Sequence, residues 1–93
     1  MTRNAARLVV EGRVQGVGYR WWTMRAAAEL GLAGWVRNCR DGSVEILAIG
    51  DDDAIRRLAK ACLKGPPHAG VRSVDMFADD DDGSAEFAQQ ERP

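Results

Sequence analysis

Gly12-Arg13-Val14-Gln15-Gly16-Val17-Gly18-Tyr19-Arg20 joins an alternating apolar run to a helix-favouring one and ends in an arginine. On its upstream side Leu8, Val10 and Val14 alternate with Arg7, Val9, Glu11 and Arg13, a two-residue period that predicts a strand over Arg7–Val14 with one wet face. Downstream, Trp22, Ala26 and Leu30 recur every fourth residue, Ala26-Ala27-Ala28 favours helix, and Gly31 stands where a C-terminal cap belongs, predicting a helix over Trp21–Leu30. The stretch is therefore a strand-to-helix turn. Glycine tolerates positive φ without a Cβ clash, so Gly12, Gly16 and Gly18 allow a sharp turn with several amides aimed at one point. Arg20 adds a planar guanidinium near the helix start, where exposed N–H groups and the helix dipole also favour negative charge. The segment reads as an anion cradle.

The same periodicities extend to the rest of the chain. Gly34–Arg40 and Ser43–Gly50 read as strands joined antiparallel by Asp41-Gly42, a dipeptide suited to a hairpin turn. Ile55, Leu58, Ala59, Cys62 and Leu63 mark one face of an amphipathic helix. Asp51, Asp52 and Asp53 precede that helix as cap and favourable charge, Lys60 and Lys64 suit its end, and Gly65-Pro66-Pro67 stops it. Val71–Phe77 predicts a fourth strand with Val74 and Met76 inward, Glu86–Gln89 a doubtful edge piece around Phe87, and Asp79–Asp82 a solvated turn. The order β-α-β-β-α-β predicts an α+β, ferredoxin-like two-layer sandwich, an antiparallel sheet with two helices on one face. Many activities share that fold, so function has to be read from the loop and its neighbours.

Composition narrows the classes. Ninety-three residues, 45% hydrophobic and 29% charged, predict a single soluble domain over 1–93. No apolar run approaches the roughly 20 residues of a membrane span, and Leu8–Val10 is too short for a secretory core, so a cytoplasmic location is expected. Residues 1–40 carry seven Arg against two Glu, and residues 41–93 six basic against twelve acidic residues. The bases are dispersed through strands and loops, however, which favours a small anion over a nucleic acid. An RNA-binding sheet would also need aromatics on its central strands, and neither Leu8-Val9-Val10 nor Val71-Arg72-Ser73-Val74 supplies them. Cys39 and Cys62 are read as reduced thiols, and with His68 they match no zinc spacing, so no metal is expected.

The loop lacks the Gly-Lys-Ser/Thr ending of a nucleotide-binding P-loop. Nor is it a cysteine phosphatase loop, since Val14 occupies the nucleophile's position six residues before Arg20. With no Ser, Cys, His or Asp within it, hydrolysis would require a water positioned by another element. From spacing alone, Arg20 serves equally well as one half of a surface ion pair, and Asn38 as a residue of the hairpin turn.

Taken together, Gly12 to Arg20, Gly34-Trp35-Val36-Arg37-Asn38, Asp41-Gly42-Ser43-Val44-Glu45, Gly65-Pro66-Pro67 and Val71 resemble the acylphosphatase family over about residues 7–77. The resemblance implies hydrolysis of the carboxyl-phosphate anhydride of acyl phosphates to a carboxylate and inorganic phosphate, with no metal and no cofactor. It implies that Arg20 binds the phosphate, that the backbone amides of Gln15, Gly16, Val17, Gly18 and Tyr19 surround it, and that Asn38 orients the attacking water. The substrate's own phosphate would then accept the proton. Such chemistry is physically sensible, because an acyl phosphate has a good leaving group and needs mainly charge neutralisation and an aligned nucleophile. The expected partners are a small acyl phosphate and phosphate, with no nucleic acid or membrane, and the chain is expected to be a monomer.

Some positions depart from the family pattern. Tyr19 stands where phenylalanine is frequent, and Phe87-Ala88-Gln89 copies the usual last strand poorly. Cys39, directly after Asn38, is expected to be an inert thiol, with oxidation sensitivity as the alternative. Trp22 and Trp35 are expected in the core, against the alternative that Trp21, Trp22 and Trp35 wall the substrate. The competing function is a non-catalytic or partner-dependent module that holds carbamoyl phosphate or phosphate, as in the acylphosphatase-like domain that begins a hydrogenase maturation protein.

Overall fold

Ala6, Leu8 and Val10 point to one side of strand β1 (Asn4–Arg13) and are buried, whereas Arg7, Val9 and Glu11 point to the other and are partly exposed. The computed structural model describes residues 3–91. Helix α1 (Tyr19–Glu29), strands β2 (Ala33–Asn38) and β3 (Val44–Gly50), helix α2 (Asp52–Cys62) and strand β4 (Gly70–Ala78) follow in the expected β-α-β-β-α-β order. β1 pairs antiparallel with β3 on one side and β4 on the other, and β3 pairs antiparallel with β2. Beside Gly12 the β1–β4 register shifts by one residue, and φ there is +130°. A Cβ at this position would overlap the Gly70 carbonyl oxygen and lie 2.7 Å from the Arg72 nitrogen, so the bulge that leads into the loop requires glycine.

A fifth strand corrects the expectation of a purely antiparallel sheet. β5 (Phe87–Gln90) lies parallel to β2, with Gly34 opposite Phe87 and Val36 opposite Gln89, giving a mixed sheet in the order β4-β1-β3-β2-β5. β4 and β5 occupy opposite edges, so residues 79–86 must cross the sheet. Four strand spacings amount to roughly 19 Å, within the reach of eight extended residues at about 3.3 Å each. The crossing runs over the face away from the helices. It is tied there by Arg3, whose Nε and Nη2 donate to Asp81 at 2.9 and 2.7 Å and whose Nη1 donates to the Ser84 carbonyl at 3.0 Å. The Asp79–Asp82 run is thus exposed, as a solvated turn would be, and also an anchor for the strap.

Both helices cover the opposite face. Tyr19, Thr23 and Ala27 of α1 and Ile55, Leu58 and Cys62 of α2 are buried against Leu8, Val10, Val36 and Ile46, each large aliphatic side chain contributing about 1.5–3 kcal/mol. The inward stripe of α1 is rotated by one residue from the expected Trp22, Ala26 and Leu30, which flank it half-buried. A pattern based on hydrophobicity misses this because two of the three inward residues are polar. Their polar groups are satisfied: Thr23 Oγ1 donates to the Tyr19 carbonyl at 2.8 Å, and the Tyr19 hydroxyl donates to the Cys62 carbonyl at 2.6 Å. Gly31 ends α1 as expected, with φ +70° and paired bonds from Gly31 N to Ala28 O and from Leu32 N to Ala27 O. Asp51 is the N-cap of α2 but makes no side-chain cap bond, and Asp52 and Asp53 instead pair with Arg56 and Arg57. Met76, expected inward with Val74, is half-exposed on the edge strand. Trp35 lies on the strap side of the sheet against Leu47 and Ile49, not under the helices.

That strap side carries a ladder of charge and aromatic rings across four strands. Phe77 of β4 lies under the Arg7 guanidinium at 5.0 Å, Arg7 Nη1 donates to Glu45 Oε2 at 2.7 Å, Arg37 Nη2 donates to Oε1 at 2.6 Å, and Arg37 stacks on Trp35 at 4.7 Å. Burial alone would raise the Glu45 pKa, but its hydrogen bonds to Arg7 and Arg37 outweigh this and hold the carboxyl below its usual value. A carboxylate depressed in this way stabilises the fold above its unfolded pKa of about 4.3, and that stability is lost as pH falls through the lower folded pKa. Urea unfolding of Glu45→Gln and the unaltered chain is therefore expected to show a stability gap that is widest near neutral pH and closes on acidification below the unfolded pKa; a pH-independent gap would contradict the assignment.

Candidate active site

The turn between β1 and α1 is opened by Gly16 and Gly18, which have φ values of +75° and +79°. Gly18 is the N-cap of α1 in left-handed geometry and makes no side-chain cap bond, while its carbonyl accepts the first helical bond, from Trp22 N at 3.0 Å. The amides of Gly16, Val17, Gly18, Tyr19 and Arg20 have no acceptor among the described residues. No acidic residue occupies the first helical turn. Free donors that converge at the positive end of a helix dipole form an anion nest.

A cavity of about 150 Å³ opens at this nest, lined by Gly16, Gly18, Tyr19 and Arg20 together with Val14, Trp21, Asn38 and Gln89. The two residues singled out for catalysis, 18 positions apart in sequence, thus share one cavity wall system. Among the described residues Arg20 enters no ion pair, so its charge is not spent on a surface carboxylate. Although Asn38 pairs with Val44 at the base of the hairpin, its side chain takes no part in the bonds that close the turn. That turn is closed by Cys39 N donating to Ser43 O, by Gly42 N donating to Cys39 O, and by Asp41 Oδ1, which accepts from Ser43 N and Oγ. Those bonds also hold the Asp41 carboxyl below its ordinary pKa. The loop between Asn38 and Val44 is longer than a two-residue Asp-Gly turn.

Gln15 and Val17 do not line the cavity. The Val17 side chain packs against the core. Gln15 Nε2 donates to the carbonyls of Cys39 and Ser43, both at 2.8 Å, which ties the glycine loop to the β2–β3 hairpin. The resemblance implied only the backbone of Gln15; its side chain is a brace between the two halves of the site. Gln89 and Trp21 are additions. Gln89 reaches the cavity because β5 pairs with β2 in a register that puts Gln89 beside Val36 on the helix side, and the weak C-terminal sequence gave no sign of that register.

The cavity lining contains no carboxylate, thiol or imidazole. Among the described residues no group of three His, Cys, Asp or Glu side chains is placed to hold a metal. Cys39 is half-buried and off the cavity, while burial pushes the Cys62 thiol up to about 11, both being free. A larger groove of about 530 Å³ at the other end of β1 is lined by Asp52, Asp79, Asp80 and Asp81 against a single cation, Arg3, which is paired with Asp81, an environment that repels anions. Sign of charge therefore distinguishes the two better than volume does.

Fold and cavity define the class: a ferredoxin-like α+β domain with a carboxylate-free pocket, bordered by an arginine and an asparagine, at a strand-to-helix turn. The family description that matches the sequence is acylphosphatase, over residues 6–89. An acylphosphatase of Nitrobacter hamburgensis is 55% identical over 69 residues, covering 74% of this chain and 70% of that one. The structure of an acylphosphatase from Coxiella burnetii superposes with a TM-score of 0.91 at 34% identity, covering 96% of this chain and 94% of its own. HypF of T. kodakarensis matches with a TM-score of 0.83 at 29% identity, but over only 12% of that larger chain and 94% of this one. The chain belongs to the acylphosphatase family, whose activity is that of a hydrolase acting on acid anhydrides, EC 3.6.1.7.

Tyr19, where the family often has phenylalanine, uses its hydroxyl to tie the cavity end of α1 to the Cys62 carbonyl at the end of α2. Burial raises its phenol pKa strongly, so the proton stays on and donates. Tyr19→Phe is expected to cost about 1 kcal/mol, read as a lower urea midpoint at unchanged slope. An unaltered midpoint would mean that the Cys62 carbonyl finds another donor.

Proposed function

We propose that the chain hydrolyses acyl phosphates by direct attack of water on phosphorus, without a metal or cofactor. Arg20 and the backbone amides of Gln15 to Tyr19 hold the phosphoryl oxygens, a planar fork and a ring of dipoles that neutralise charge without titrating near neutral pH. Asn38 accepts a hydrogen bond from the water through its side-chain carbonyl and donates through its amide, and so can aim the water. The water oxygen bonds to phosphorus as the bond from phosphorus to the acyl oxygen breaks. The carboxylate leaves with the bonding pair, and a phosphoryl oxygen of the substrate takes the water's proton. No enzyme base is needed, which suits a cavity with no side chain able to act as one.

The observation that carries this reading is the shared cavity: an arginine that enters no ion pair among the described residues and an asparagine whose side chain is not used in closing the hairpin both border it. The expected setting is a cytoplasmic monomer acting on a small molecule, with no nucleic acid and no membrane. Among the described residues no helix is long and apolar enough to cross a membrane. A binding module that holds carbamoyl phosphate or phosphate for a partner is the competing reading, prompted by the likeness to a small part of HypF. Turnover separates the two.

Charge-assisted hydrogen bonds contribute about 1.5–3 kcal/mol each, so Arg20→Ala, which removes two, is expected to lower kcat/KM by about two to four decades. Asn38→Ala is expected to act mainly on kcat, while inhibition by inorganic phosphate stays close to that of the unaltered chain. Phosphate release from acetyl phosphate should continue in the presence of a chelator. Full activity in both variants would refute the residue roles, and tight phosphate binding without any turnover would favour the binding module.

A further inference from the structure

Trp21 is not part of the core. It follows Arg20 on the first turn of α1, is 62% exposed, and packs into neither hydrophobic cluster. The other large exposed apolar side chains, Leu63, Met76 and Phe77, lie away from the cavity that holds Arg20 and Asn38, whereas Trp21 lines it. Trp21 also lines a second groove of about 220 Å³ along α1, with Trp22, Arg25, Ala26 and Glu29. Trp21 is thus the residue that borders both spaces. Arg25, one turn further on, places its guanidinium 4.9 Å from the ring centroid and so restrains the ring at this junction.

We infer that Trp21 and the α1 groove beyond it form a subsite for the acyl group, selecting acyl phosphates whose acyl part is aromatic or bulky, apolar and uncharged. The inference rests on the proposed hydrolysis at Arg20 and Asn38 and deepens it. In-line displacement sends the carboxylate away from the attacking water. Asn38 borders only the inner cavity, while Trp21 borders both spaces, so the acyl group leaves toward the indole. A restrained aromatic ring offers stacking area to a second ring and little to a methyl group. Arg25 and Glu29 in the same groove carry opposite charges, so the groove offers no net charge that would favour an ionised acyl group over an apolar one.

The test compares kcat/KM for benzoyl phosphate and acetyl phosphate in the unaltered chain, Trp21→Ala and Trp21→Phe. The expected result is a preference for benzoyl phosphate that falls about fivefold in Trp21→Ala and is largely kept in Trp21→Phe, in line with the worth of an aromatic pair. An exposed residue is replaced, so both variants should fold, and the ratio within each variant cancels any loss of active protein. A preference unchanged in Trp21→Ala, with both substrates hydrolysed, would overturn the subsite and leave the proposed reaction standing. Failure of the unaltered chain to hydrolyse either substrate would overturn the reaction and the subsite together.

Discussion

One side-chain amide holds the two halves of the site together. Gln15 Nε2 donates to the carbonyls of both Cys39 and Ser43 at 2.8 Å, so the glycine loop that follows β1 is fastened to the hairpin that follows β2. The same Ser43 carbonyl accepts from Cys39 N, which sets the end of the strand carrying Asn38. β1 and β2 both pair with β3, which carries the loop and the strand end side by side, and the brace adds a direct tie between them. With it, the nest of amides, the Arg20 guanidinium and the Asn38 amide border one cavity. Preorganisation of this kind matters most where catalysis rests on positioning and fixed dipoles instead of a titrating side chain.

The remaining walls come from elements that the core positions. Tyr19 anchors the start of α1 through a buried ring and a hydroxyl bound to the end of α2, and a Cβ at Gly65 would lie only 2.6 Å from that ring. β5 adds Gln89 from the far edge of the sheet, after a strap that Arg3 and Asp81 hold across the strap face. On that face the Glu45 ladder makes β3 buried on both sides, which keeps the central strands rigid beneath the site. A 93-residue domain thus spends polar residues on both faces of its sheet and satisfies them: among the described residues no buried side-chain nitrogen or oxygen lacks a partner.

Much of this was legible in the residue pattern, and the exceptions share a cause. β1, β3 and α2 alternate or repeat cleanly because apolar and polar side chains face different surroundings, so their periodicity is written in the sequence. The inward face of α1 was misread by one residue because Tyr19 and Thr23 are polar yet buried, a choice that depends on acceptors contributed by α2 and by the previous helical turn. The fifth strand was doubtful because Phe87-Ala88-Gln89 has little intrinsic strand preference, its pairing being decided by the unfilled edge of β2. At the site, Arg20 and Asn38 were singled out by motif, and the fold brings them to one cavity. The brace by Gln15 and the wall from Gln89 were not visible, since both rest on contacts between segments distant in sequence.

The central claim is that loop and hairpin work as a single water-directed phosphate site, and a double-mutant cycle between Gln15→Ala and Asn38→Ala, read in kcat for acetyl phosphate, tests it most directly. If Gln15 acts by placing the strand end that carries Asn38, its loss should lower kcat about tenfold in the unaltered chain and have little further effect once Asn38 is alanine. Equal fold-losses in the two backgrounds would show that Gln15 and Asn38 act independently and would contradict the account.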